Sequence, residues 1–233
     1  MKSINYIREI LMNFRENELF FASNIYNEIL RDKISETAFY KTLERMTKSG
    51  ELVKISKGIY HLPKKSKYGV VPISNDEIIS TFTDNNTGTI VGYSLYNSLN
   101  LTTQIPKTIS ILSSTIDGQT KNIKDISIKR VTINFSKEVI RMIHALEVLQ
   151  DFSNIEDINY SAFIDFIKEI VEEYNDRTFE EVISNINYKK STIAFFQEIL
   201  NYFNKDNNLY LHLSSLSEYK HPTMEEIYEA SQI

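Results

Sequence analysis

The 233-residue chain has no cysteine and no tryptophan, only four prolines and six glycines. Without cysteine there can be no disulfide and no thiolate-bound metal, which fits a reducing compartment. No apolar run approaches the roughly 18 residues a membrane span needs, and no signal-peptide core stands at the amino end. These absences predict a cytoplasmic protein with no membrane partner. Nucleotide-binding and hydrolase signatures are missing as well: there is no G-x-S-x-G, no P-loop and no G-x-G-x-x-G. The expectation is a non-enzymatic protein without a cofactor.

What is present is unevenly distributed charge. Net charge is −5, but residues 1–67 hold 13 Lys/Arg against 8 Asp/Glu, or +5, and residues 68–233 hold 13 against 23, or −10. A basic head on an acidic body suggests that only the head meets phosphate.

The most informative stretch is SETAFYKTLERMTKSGELVKISKGIYHL, residues 35–62. Ser35 can cap a helix in which Phe39, Leu43 and Met46 recur at three- and four-residue steps, and Lys48-Ser49-Gly50 supplies the stop. Leu52, Val53, Ile55, Ile59, Tyr60 and Leu62 then form a β-prone stretch broken at Lys57-Gly58, where a tight hairpin bends. Upstream, residues 2–15 read as a first helix with Ile4, Ile7, Ile10, Leu11 and Phe14 on one stripe. Residues 18–21 read as extended, and Ser23 caps a second helix. This order predicts a winged helix-turn-helix over residues 1–66, with an exposed basic linker (Pro63, Lys64, Lys65, Ser66, Lys67) closing it.

A recognition helix reads bases from its first turns, here Thr37, Tyr40 and Lys41, and grips phosphates with later residues, here Arg45 and Lys48. Lys54 and Lys57 on the wing, and Ser23 at a helix start, complete the candidate DNA-binding set. The bland alternative is a solvated helix face with lysines guarding an edge hairpin from aggregation. Four to six phosphate contacts bind weakly, so tight binding calls for a homodimer or paired copies on an inverted repeat.

Residues 67–233 read as a mixed α+β domain. A helix starts near Asn75, a short strand covers 89–91, and a helix covers 93–101. Two β-rich stretches at 107–115 and 126–135 are joined by a polar loop at Asp117-Gly118, as in a hairpin, with Val131, Ile133 and Phe135 alternating as in a half-buried strand. Helices follow near 137–150, 160–174, 178–185 and 191–203. Beyond them lies a loose tail with a last short helix near 224–230. His61, His144, His212 and His221 lack metal-ligand spacing. Asp117, Asp125 and Lys129 allow a metal-dependent nuclease as a remote alternative, and turn and solvent-face roles explain them better. A third alternative is an adaptor whose head binds protein.

Two runs, GIYHLPKKSKYGVVPISNDEIISTF and TIVGYSLYNSLNLTTQIPKTISILSST, carry a resemblance. Together they make the chain similar to the AbiEi family, the antitoxins of type IV toxin–antitoxin (abortive infection) systems. The matching positions are the Gly58-Ile59-Tyr60 wing, Gly92, Leu99, Leu101, Thr102 or Thr103, and Pro106. The resemblance implies a transcriptional regulator that represses its own operon by binding double-stranded DNA at inverted repeats in its promoter. It also implies a functional partner, a nucleotidyltransferase-like toxin, counteracted without a stable complex. Read physically, Leu95, Leu99 and Leu101 pack a helix onto a sheet, Pro106 breaks the chain before the next strand, and Thr102, Thr103 and Gln104 sit at the rim.

Overall fold

The protein is described by a computed structural model covering residues 2–232. It is a mixed α+β structure with small sheets, divided into two compact units. The first comprises residues 1–81 with 122–124, and the second 82–121 with 125–233. Among the described residues no helix is long and apolar enough to cross a membrane.

In the first unit, α1 (Lys2–Leu11) buries Ile7 and Leu11. Strand β1 (Leu19–Phe21) leads directly into α2 (Ala22–Ile25), which continues as one turn of π-helix over Tyr26–Leu30. Helix α3 (Glu36–Lys48) follows, then β2 (Val53–Ser56) and β3 (Ile59–His61). The three strands form one antiparallel sheet in the order β1-β3-β2. Phe20, Leu30, Phe39, Leu43, Met46 and Leu52 share a single core with α1. Apolar residues at helical spacing on α1 and α3, facing a short sheet, therefore suffice to close this unit.

Residues 63–67, expected as an exposed linker, are no plain linker: with residues 68–71 they form a second hairpin, β4 (Lys64–Ser66) and β5 (Gly69–Val71), paired with each other. Lysine-rich KKS carries little strand propensity, and this made the segment look like coil.

The second unit holds a sheet in the order β6-β7-β9-β8: β6 (Gly88–Val91), β7 (Ile109–Ser113), β8 (Thr120–Ile123) and β9 (Ile126–Arg130). Here the expected hairpin between the two β-rich stretches is corrected. Strands β7 and β9 run parallel, Ile109 opposite Ile126 through Ser113 opposite Arg130, with β8 in the connection between them. Residues 131–135 are not a strand, although Val131 and Phe135 are buried and Thr132 and Asn134 exposed, as the alternation predicts. Gly88 is where β6 presses closest: an added Cβ would lie 2.3 Å from the Phe82 carbonyl and 2.4 Å from that of Leu112.

Helix α4 (Asn75–Thr83) precedes this sheet and α5 (Tyr93–Ser98) follows β6. Then come α6 (Lys137–Asp151), α7 (Tyr160–Glu173), α8 (Asp176–Asn185), α9 (Lys190–Tyr202) and α10 (Met224–Ala230). Side-chain caps start four of them: Ser136, Asn159 and Asn175 accept from the amides of Val139, Ala162 and Thr178, and Thr223 forms a capping box with Glu226. Helix α6 is covered on most sides and buries seven residues from Val139 to Leu149. The tail is more ordered than expected, since Leu209, Met224 and Ile227 are buried in the same core as α6. Thr102 is not at a rim. It is buried, its hydroxyl donates to the Glu156 carbonyl at 2.7 Å, and the Leu101 carbonyl accepts from Asn159 at 2.8 Å, so LNLTTQIP is a structural clasp on the 155–159 loop.

Candidate nucleic-acid interface

Helix α3 has two faces. Phe39, Thr42, Leu43 and Met46 point inward, while Thr37, Lys41, Glu44 and Lys48 recur at four- and three-residue steps along the opposite side, flanked by Tyr40 and Arg45. All six are exposed, Tyr40 least, at 36 %. Ser35 occupies the N-cap position with extended backbone, but its side chain makes no capping bond; Glu36 in the first turn suits the positive end of the helix dipole. The C-terminus closes as the spacing predicts. Gly50 adopts φ +73°, its amide donates to Thr47 at 3.2 Å, and the Glu51 amide donates to Met46 at 2.9 Å, the paired bonds of a Schellman ending.

Electrostatics along the exposed face are mixed. Lys48 pairs with Glu44 at 2.7 Å, and this contact, helped by Arg45 and Lys41, holds the Glu44 carboxyl below the usual range. Lys41 and Arg45 form no ion pair among the described residues. Behind this face Tyr60 is a largely buried residue whose hydroxyl pKa is raised by desolvation, then by Tyr40 and Glu44. At the end of α3 a fork from Arg8 grips Glu51, Nε to Oε2 at 2.7 Å and Nη2 to Oε1 at 2.8 Å, while Ser49 donates to the same carboxylate at 2.6 Å. Arg8 is therefore committed to tying α1 to the segment after α3.

The β2–β3 hairpin turns at Lys57-Gly58, with Gly58 at φ +77° and a register break between Lys54 and Ser56. Lys54 and Lys57 are exposed. The Gly58 carbonyl accepts from the Ala22 amide at 2.9 Å, mooring the hairpin tip to the start of α2. The start of α2 differs from the expected one, because β1 runs straight into it. Ser23 does not cap α2: the cap position is Phe21, no side chain caps it, and Ser23 lies inside the first turn with its hydroxyl 3.4 Å from Asn24 Oδ1.

The structure thus brings Thr37, Tyr40, Lys41, Arg45 and Lys48 onto one face, and sets Lys54 and Lys57 on the hairpin that follows. Sequence reasoning puts Glu44 on that same face, and what the structure adds is its pair with Lys48, which the four-residue spacing signals. Elsewhere, among the described residues no group of three or more His, Cys, Asp or Glu side chains is placed to hold a metal. Asp125 precedes β9 and Lys129 lies within it. The histidines are engaged separately: His61 with the Leu62 carbonyl, His144 with Thr89, His212 with Glu180 and His221 with the Pro222 carbonyl.

No curated protein matches the chain. Among solved structures it is similar to a crystal structure of the RV2827C protein from Mycobacterium tuberculosis, at 10 % identity and a TM-score of 0.43, over 86 % of this chain and 76 % of that one. Residues 7–190 match the family described as a family of unknown function (DUF6088), and the chain belongs to that family.

Proposed function

We propose that the first unit is a winged helix-turn-helix that binds double-stranded DNA, with α3 in the major groove and the β2–β3 hairpin against the backbone. The observation that carries this reading is the division of α3. Four inward residues anchor it in the core, and the opposite face offers Thr37, Tyr40, Lys41 and Arg45 to a groove. A helix held rigidly by its own core loses little conformational freedom when a duplex seats on it. Thr37, Tyr40 and Lys41 then meet base edges, and Arg45, Lys54 and Lys57 meet phosphates. The net charge supports the same orientation: the first unit carries 14 Lys/Arg against 10 Asp/Glu, the second 12 against 21.

Within this proposal the chain is a regulator of the AbiEi antitoxin type, supported by the wing and LNLTTQIP resemblance. It represses its own operon as a dimer on inverted repeats and counteracts a nucleotidyltransferase-like toxin. The test is binding to the DNA upstream of its own gene across a salt series. Specific affinity should exceed that for random duplex, and Lys41→Glu with Arg45→Glu should lower it on the order of 100-fold without moving the melting temperature. Equal affinity for operator and random duplex, or full affinity in the double variant, overturns the reading. A neighbouring gene of another class removes the antitoxin part and leaves DNA binding standing.

A further inference from the structure

The β4–β5 hairpin is the feature that the α3 reading does not use. Its root is fixed. His61, Leu62 and Pro63 are buried before it and Ile73 after it. The Lys64 amide reaches the Asn17 side-chain oxygen at 3.4 Å, and the Asn17 side-chain amide in turn donates to Glu77 at 3.2 Å. Lys124 Nζ donates to the Ile73 carbonyl at 2.6 Å. From that root the ribbon leaves the protein: every residue from Lys64 to Val70 is exposed. Four residues of extended chain carry its tip about 13 Å from Pro63.

A two-stranded ribbon exposed on both faces covers no core and is marginal by itself. This one is nonetheless shaped at its tip. The Ser66 hydroxyl donates to the Gly69 carbonyl at 3.1 Å and accepts from the Tyr68 amide at 3.1 Å. Gly69, at φ +119°, occupies a conformation other residues rarely adopt. Lys67 Nζ sits 4.8 Å from the centre of the Tyr68 ring, and that ring is 87 % exposed. Lys65 also adds a little to the lowering of the Glu51 carboxyl, after Arg8 and Ser49. Three lysines and a projecting tyrosine, with no acidic residue between 52 and 75, match a polyanion with flat sugar and base surfaces.

We propose that the β4–β5 ribbon is a second DNA-contacting element, in which Lys64, Lys65 and Lys67 grip the sugar–phosphate backbone outside the stretch covered by α3 and Tyr68 packs against it. This rests on the α3 reading, and it adds affinity and footprint without adding sequence discrimination.

Two measurements on the full chain test it. In the first, Lys64→Ala, Lys65→Ala and Lys67→Ala are combined. Each lost phosphate contact lowers the salt slope by about 0.9, so the triple variant should bind about 100-fold more weakly near 0.15 M salt, and by the same factor on operator and random duplex. In the second, Tyr68→Trp places a single tryptophan in a chain that has none, and duplex DNA should change its emission, whereas vesicles containing anionic lipid should not. An unchanged salt slope or an emission blind to DNA overturns the ribbon, and if Lys41→Glu with Arg45→Glu still weakens binding on the order of 100-fold, the α3 reading survives alone. A response to vesicles in place of DNA also overturns it. If the unsubstituted protein has no affinity for any duplex, both readings fall together.

Discussion

Helices α3 and α6 solve opposite problems. Helix α3 buries Phe39, Thr42, Leu43 and Met46 and leaves a full stripe in solvent, on which Glu44 and Lys48 pair. Helix α6 buries seven residues and then covers polar ones too: His144 bonds Thr89 at 2.7 Å, and Glu147 is held high by desolvation. Charged groups on α3 stay in solvent, whereas the titratable groups drawn inside on α6 are held toward their neutral forms by burial. The first arrangement leaves a face open to the proposed duplex, and the second makes stability depend on pH.

The largest effects expected are in the two cores. Phe163→Ala should cost about 3–5 kcal/mol and Leu43→Ala about 2–5 kcal/mol, because each side chain is fully buried. Hydrogen exchange locates the damage. Leu43→Ala should deprotect amides of the first unit while those of α6 and α7 stay protected, and loss of protection throughout would show that the two regions are not separate cooperative blocks.

The next effect is in acid. Burial first, then the nearby Arg141, lowers His144 to about 4 from its ordinary 6.5. Between those values the unfolded chain binds the proton and the folded one does not, so stability falls as pH drops through that window, by about 2–3 kcal/mol. Glu147, raised by burial, contributes with the opposite sign. Chemical denaturation from pH 7 to pH 4 checks this. His144→Gln should flatten the slope, and an unaltered slope would place the acid sensitivity elsewhere.

The smallest effect sharpens the reading of α3. Glu44→Gln removes the one carboxylate from the middle of the exposed stripe and releases Lys48. Thermal stability should not change, because exposed pairs contribute little, while DNA affinity should rise several-fold with a steeper salt dependence. Equal affinity would mean that the centre of this face lies off the DNA.

Much of this architecture was legible in the chain. Helix α3 was readable end to end because Phe39, Leu43 and Met46 mark one face and Gly50 marks the stop. The late helices were readable because each carries a long apolar stripe. The failures concern partners at a distance. Ile109 and Ile126 are both β-prone, but nothing local states that their strands run parallel with TKNI inserted between them. Ser23 looked like a cap because nothing local shows that β1 pairs with β3 and runs directly into α2, leaving Phe21 at the cap position. The candidate interface was legible as a list of basic residues. That Glu44 closes on Lys48, and that lysines 64, 65 and 67 stand on a ribbon, required the fold.

The bond between Gly58 and Ala22 has a mechanical meaning. A loop tied at its far end cannot flap, so the span from α3 to the hairpin tip acts as a gauge of fixed length. Any double helix that engages both, as proposed, must bring its groove and backbone to that spacing. Sequences that bend or narrow easily will then be preferred at positions no side chain touches.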